Sequence, residues 1–116
     1  MSNYYFTVIV LENCPFSNNA LELLKKYNNI TKKITTITSQ NKENYKTDKI
    51  TTFPQIYIKK QNHSGSLLLG GYSDLQNVFD VFCGTNYSKD NIKYFIANNA
   101  GWSKKAVTRL IELVNS

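Results

Sequence analysis

The sequence predicts an α/β domain: a four-stranded mixed sheet flanked by helices, in the order β-α-β-α-β-β-α, with further helices at the C-terminal end. Three observations carry this. Short β-branched apolar runs alternate with stretches of helical spacing along residues 6–82. Two of the runs are separated only by a polar turn, which makes a hairpin. With 116 residues and 41% apolar content, the chain can bury one core without covalent staples.

Phe6-Thr7-Val8-Ile9-Val10-Leu11 reads as a strand buried on both faces. Glu12-Asn13-Cys14-Pro15 breaks it, and Ala20, Leu23, Leu24 and Tyr27 follow at helical spacing until Asn28-Asn29. Ile34 to Ile37 is the second strand. Ser39 offers an N-cap for a short polar helix running through Glu43 and Tyr45. Thr51 to Ile58 gives a third strand with Pro54 at its entrance, and Gln61 to Gly65 a turn. Ser66 to Leu69 is the fourth strand, ending at Gly70-Gly71, and Ser73 caps a helix through Leu75, Val78, Phe79 and Phe82. Two amphipathic helices are predicted beyond Gly84. One spans Ser88 to Asn98; the other follows Ser103, with Ala106, Val107, Leu110, Ile111 and Val114 on one face. Residues 85–116 are expected to pack as an extension on the domain formed by residues 1–84.

Fourteen Lys and Arg against eight Asp and Glu give a net charge of +6. The lysines fall in separate segments (Lys25-Lys26, Lys32-Lys33, Lys59-Lys60, Lys104-Lys105), so a solvated basic surface is expected rather than a nucleic-acid footprint. Two distant cysteines, Cys14 and Cys83, do not form a disulfide framework and point to a reducing compartment. One histidine and those cysteines predict no metal site within the chain. The opening Met1-Ser2-Asn3-Tyr4-Tyr5 lacks a basic leader, and no stretch approaches a membrane span. A soluble cytoplasmic protein is expected.

Cys14 stands where the first strand gives way to the first helix. Pro15 suits the first helical position, where an N–H would lack an intrahelical partner. Unpaired N–H groups and the positive end of the helix dipole favour a thiolate there, and the thiolate is the nucleophile. Pro54, in Thr52-Phe53-Pro54-Gln55, opens a strand that should neighbour the first one. A cis Phe53–Pro54 bond would leave the Phe53 backbone able to pair with an extended peptide. Gly70-Gly71-Tyr72-Ser73-Asp74 places flexible backbone and a helix start where a carboxylate can dock, with Asp74 able to accept from an ammonium group.

Cys14-Pro15-Phe16-Ser17, Thr52-Phe53-Pro54 and Gly70-Gly71-Tyr72-Ser73-Asp74 together resemble the Cys-Pro-Tyr-Cys/Ser, Thr-Val-Pro and Gly-Gly-Cys-x-Asp motifs of glutaredoxins. Their order and spacing match over residues 4 to about 84. The resemblance implies a thioredoxin-like fold and Cys14 as the nucleophile of a glutathione-dependent oxidoreductase. It implies that Phe53 and Pro54 hold the cysteinyl part of glutathione, and Gly71, Ser73 and Asp74 its γ-glutamyl end. The partners it implies are glutathione and glutathionylated or disulfide-bonded proteins, with no nucleic acid and no membrane.

Ser17 stands in place of the second cysteine of dithiol members, so a monothiol mechanism through a mixed disulfide with glutathione follows. Leu11 replaces a basic residue that many members carry, and Tyr72 an additional cysteine. Thr52-Phe53-Pro54-Gln55 also resembles the Cys-Gly-Phe-Ser branch, whose members hold a [2Fe–2S] cluster between two protomers. That leaves two other readings open: a cluster carrier, dimeric when loaded, and a non-catalytic adaptor. The leading expectation is a monomeric oxidoreductase. Cys83 reads as a structural cysteine, His63 as a turn residue, and Lys49 as a solvated lysine within reach of a glycyl carboxylate.

Overall fold

The computed structural model describes residues 3–116. Met1 and Ser2, read above as part of an opening without a basic leader, lie outside the described residues. The elements are β1 (Tyr4–Leu11), α1 (Pro15–Lys26), β2 (Lys32–Ile37), a 3-10 turn (Lys42–Tyr45), β3 (Gln55–Lys60), β4 (Ser66–Gly70), α2 (Tyr72–Phe82), α3 (Lys89–Asn98) and α4 (Lys104–Val114). The sheet runs β2-β1-β3-β4. β1 and β2 are parallel, joined through α1, while β1–β3 and β3–β4 are antiparallel. This is the mixed four-stranded sheet of a thioredoxin-like α/β fold.

Alternation along β1 sends Phe6, Val8 and Val10 to one face, where they are buried with Ile56 and Ile58 of β3 and Leu69 of β4. Ala20 and Leu24 of α1, and Leu75, Val78, Phe79 and Phe82 of α2, close over that face. The rings of Tyr27 and Phe79 stack with centroids 4.1 Å apart, tying the end of α1 to α2.

α4 brings Val107, Leu110 and Leu113 into the same core at zero exposure. Its start is capped as its sequence predicts, Ser103 Oγ accepting from the Ala106 amide at 3.1 Å. Ser88 caps α3 in the same way, accepting from Asn91. Between these helices Trp102 is buried edge-on to Phe95 and donates its indole N–H to the Leu68 carbonyl at 2.9 Å. Asn115 then clasps the end of α2. Its Nδ2 donates to the Phe82 and Ile111 carbonyls, and its Oδ1 accepts from the Gly84 amide.

Two expectations need correcting here. β1 is not buried on both faces: Tyr5, Thr7, Ile9 and Leu11 are only half-buried. The reason lies in the chain between β2 and β3, whose expected short helix through Glu43 and Tyr45 is a single turn of 3-10 helix, Lys42–Tyr45. Ser39 caps nothing there; Asn41 Oδ1 instead accepts from the Thr38 amide at 2.9 Å, a local bond that competes with helix formation. So short a turn leaves Thr7, Ile9, Thr35 and Tyr57 lining a shallow open concavity on the second sheet face.

Candidate active site

β1 and β4 run one way and β3 the other, so the end of β1, the start of β3 and the end of β4 meet at one edge. The register fixes this, with Ile9 opposite Gln55 and Ile56 opposite Gly70. All the motifs singled out in the sequence leave the sheet at that edge.

Cys14 is the N-cap of α1, with extended backbone (φ −99, ψ 122), and Pro15 begins the helix. The turn before it is tight: the Cys14 amide donates to the Leu11 carbonyl at 3.2 Å. Asn13 takes the left-handed conformation (φ 62) that asparagine tolerates better than most residues. Cys14 is partly exposed and Phe16 beside it is 61% exposed, which puts an uncovered aromatic next to the sulfur.

The Phe53–Pro54 bond is cis, and the Phe53 carbonyl faces Cys14, accepting from Sγ at 3.9 Å. The expectation that both Phe53 backbone groups stand unengaged is therefore corrected for the carbonyl. Pro54 and Phe53 are buried beneath this contact.

The start of α2 lies against the same bend. A Cβ on Gly71 would sit 3.6 Å from the Pro54 carbonyl oxygen. Gly71, not Ser73, is the N-cap of α2, and Asp74 Oδ2 accepts from the Gly71 amide at 2.8 Å. Asp74 thereby uses one carboxylate oxygen for the helix and leaves Oδ1 for an incoming donor. Gly70 is constrained twice: its φ is +136, and the Asp74 carboxylate occupies the place a Cβ would need. Ser73 and Asp74 are both exposed in this first turn.

The site thus gathers Cys14, Phe53, Pro54, Gly71, Ser73 and Asp74 at one edge, with the starts of both α1 and α2 directed there. Lys49 lies in the exposed loop before it, its backbone amide donating to Thr47 Oγ1. Cys83 ends α2 at the far side, a helix of 11 residues away from Tyr72. His63 is remote, in the turn after β3. Among the described residues, no three His, Cys, Asp or Glu side chains cluster as metal ligands.

Ser17 has a role that sequence reasoning missed. It is fully buried, and its Oγ accepts from the Leu11 amide at 3.0 Å. The hydroxyl thus ties the end of β1 to the first turn of α1 and stiffens the loop that carries Cys14. Gln55 was also missed. It is fully buried, donating Nε2–H to the Tyr45 carbonyl and accepting from the Tyr57 hydroxyl, which anchors the 3-10 turn beside the site. The one available signal was a glutamine directly after Pro54, ahead of the apolar Ile56-Tyr57-Ile58 run.

A family model described as Glutaredoxin matches residues 4–63, just over half the chain and inclusive of Cys14, Ser17, Phe53 and Pro54. The chain belongs to the glutaredoxin family. That is a family of glutathione-related thiol oxidoreductases, and it accounts for the convergence on Cys14. The match ends before Gly71–Asp74 and before α3 and α4. Among curated proteins, no relative matches the chain. No helix among the described residues is long and apolar enough to cross a membrane.

Proposed function

We propose that this glutaredoxin reduces protein–glutathione mixed disulfides by a monothiol mechanism centred on Cys14. The observation that carries the reading is the placement of one partly exposed sulfur at a helix start, 3.9 Å from the Phe53 carbonyl, with a buried Ser17 in the same turn. A single sulfur in the loop cannot close a disulfide on itself. The Cys14 thiolate attacks the glutathione sulfur of the mixed disulfide, forming Cys14–S–S–glutathione and releasing the protein thiol. A second glutathione thiolate then attacks the same glutathione sulfur. Oxidised glutathione leaves, and Cys14 returns as thiolate.

The residues fit glutathione as co-substrate. Phe53 and Pro54 offer extended backbone beside the sulfur. Gly71, Ser73 and the free Oδ1 of Asp74 face the γ-glutamyl carboxylate and ammonium. Leu11 contributes no charge, so helix-start N–H groups supply the electrostatic support for the anion. A reducing cytoplasmic setting and a monomeric state suit this chemistry. Residues 85–116 serve as a helical extension of the domain formed by residues 1–84.

Oxidised glutathione followed by intact-protein mass spectrometry tests the mechanism. One glutathione on Cys14 and no Cys14–Cys83 bond is the expected result. Ser17→Cys should replace that adduct with a loop disulfide. Rapid formation of a Cys14–Cys83 disulfide in the unmodified protein would overturn the monothiol reading.

A further inference from the structure

The sheet edge opposite Cys14 carries a second concavity, a cleft of about 340 Å3 between the start of β1, the end of β3, the β3–β4 turn and α4. That is within the lower range of small-ligand sites. Its cations come from two separate segments. Lys60 closes β3, and Lys105 and Arg109 lie one helical turn apart on α4, with His63 in the turn at the rim. None of the chain's eight Asp and Glu residues lines the cleft. The nearest carboxylate, Glu112, meets only Arg109 Nη1, at 3.4 Å and on the exposed side.

One detail shows that Arg109 is incompletely answered by the protein. Arg109 Nε is buried without a hydrogen-bond partner, a costly state for a charged donor. The Arg109 guanidinium carbon and Lys60 Nζ lie 5.7 Å and 6.0 Å from the centre of the same Tyr4 ring, cation–π contacts that bring both toward the cleft wall. The start of α4 itself is already capped by Ser103, so side chains rather than a helix end supply the positive charge of the cleft. The walls between the cations are apolar, made by Ile58, Leu67 and Ala106.

We propose that this cleft is a binding site for a small organic phosphate monoester, distinct from the glutathione site. Arg109, Lys60 and Lys105 hold the head group, and its body lies on Ile58, Leu67 and Ala106. Three positive charges, on Arg109, Lys60 and Lys105, match a dianionic head better than a single carboxylate.

Calorimetric titration of the full chain with phenyl phosphate, benzoate and inorganic phosphate tests this. Phenyl phosphate should bind about 10-fold more tightly than either of the others, a difference of about 1.4 kcal/mol. Arg109→Gln should weaken that binding about 10-fold or more. Lys105→Glu, at an exposed position that leaves the fold intact, should weaken it by a similar factor, while Asp74→Ala should leave it unchanged. No binding of phenyl phosphate, or equal binding of inorganic phosphate, overturns the proposal. So does binding that Lys105→Glu leaves unchanged and Asp74→Ala strengthens, because the anion would then occupy the glutathione end, where loss of a carboxylate favours it.

Discussion

Cys14 and Cys83 make nearly the same contact. Each thiol lies 3.9 Å from a backbone carbonyl, Phe53 in one case and Val114 in the other, and each is partly exposed. What differs is the helix end. Cys14 is the N-cap that opens α1, whereas Cys83 follows the end of α2, where Asn115 Nδ2 caps the Phe82 carbonyl. The surroundings differ as well. Cys14 sits beside exposed Phe16, whereas Cys83 packs against the main apolar core. Contact geometry alone therefore does not separate the two thiols; their places at opposite kinds of helix end do.

The sharpest test of that contrast is also the one with the largest expected effect. Cys14→Ser should abolish glutathione-dependent reduction of a glutathionylated protein, while Cys83→Ser retains most of it, as read from turnover with a glutathionylated model substrate. A greater loss in Cys83→Ser would break the comparison.

The next test loosens the cover of Cys83 without touching Cys14. Leu110→Ala in α4 should cost about 2–5 kcal/mol of stability in denaturant unfolding, as expected for a fully buried leucine. It should also speed alkylation of Cys83 relative to Cys14. Ser17→Ala acts on the other cysteine. It leaves the Leu11 amide without its partner, at a cost of about 1–3 kcal/mol in the same measurement.

Asp74 allows a finer separation. Asp74→Ala should raise the glutathione requirement about 10-fold, the equivalent of one charge-assisted contact of about 1.4 kcal/mol. Asp74→Asn retains an acceptor for the Gly71 amide but removes the charge. The same rise with unchanged stability would assign the effect to ligand binding rather than to helix capping.

The smallest expected effect sets the pH range in which the sulfurs can be compared. Burial raises the Tyr57 phenol above its ordinary value of 10.0. The folded state therefore keeps a proton that the unfolded chain releases first. Its stabilising contribution is complete below about pH 10 and declines as pH rises through the folded-state value. Tyr57→Phe should flatten that alkaline decline in melting curves.

Much of this arrangement is legible in the sequence because it depends on local chemistry. Cys14-Pro15 announces a helix start, Ser88 and Ser103 are caps, and the α4 pattern of Val107, Leu110, Ile111 and Val114 faces the core as read. The illegible parts depend on partners far along the chain. Trp102 meets Leu68 and Asn115 meets Phe82, links that no window of sequence contains. Ser17 looks like a missing cysteine until the amide of Leu11 is placed above it. The error at Ser39 is of another kind. The short helix forms, but it starts two residues later than a Ser39 cap requires, with Asn41 as its N-cap and the Asn41 side chain on the Thr38 amide.

The Trp102 contact also gives the molecule an optical handle. It is the only tryptophan, buried, hydrogen-bonded to β4 and held edge-on by Phe95. Its fluorescence consequently reports the seating of the α3–α4 junction on the sheet. Emission that shifts to the red before far-ultraviolet dichroism changes would mark the C-terminal helices lifting away as a unit. Coincident curves would mark one cooperative body, in which the Cys14 loop and the C-terminal helices melt together.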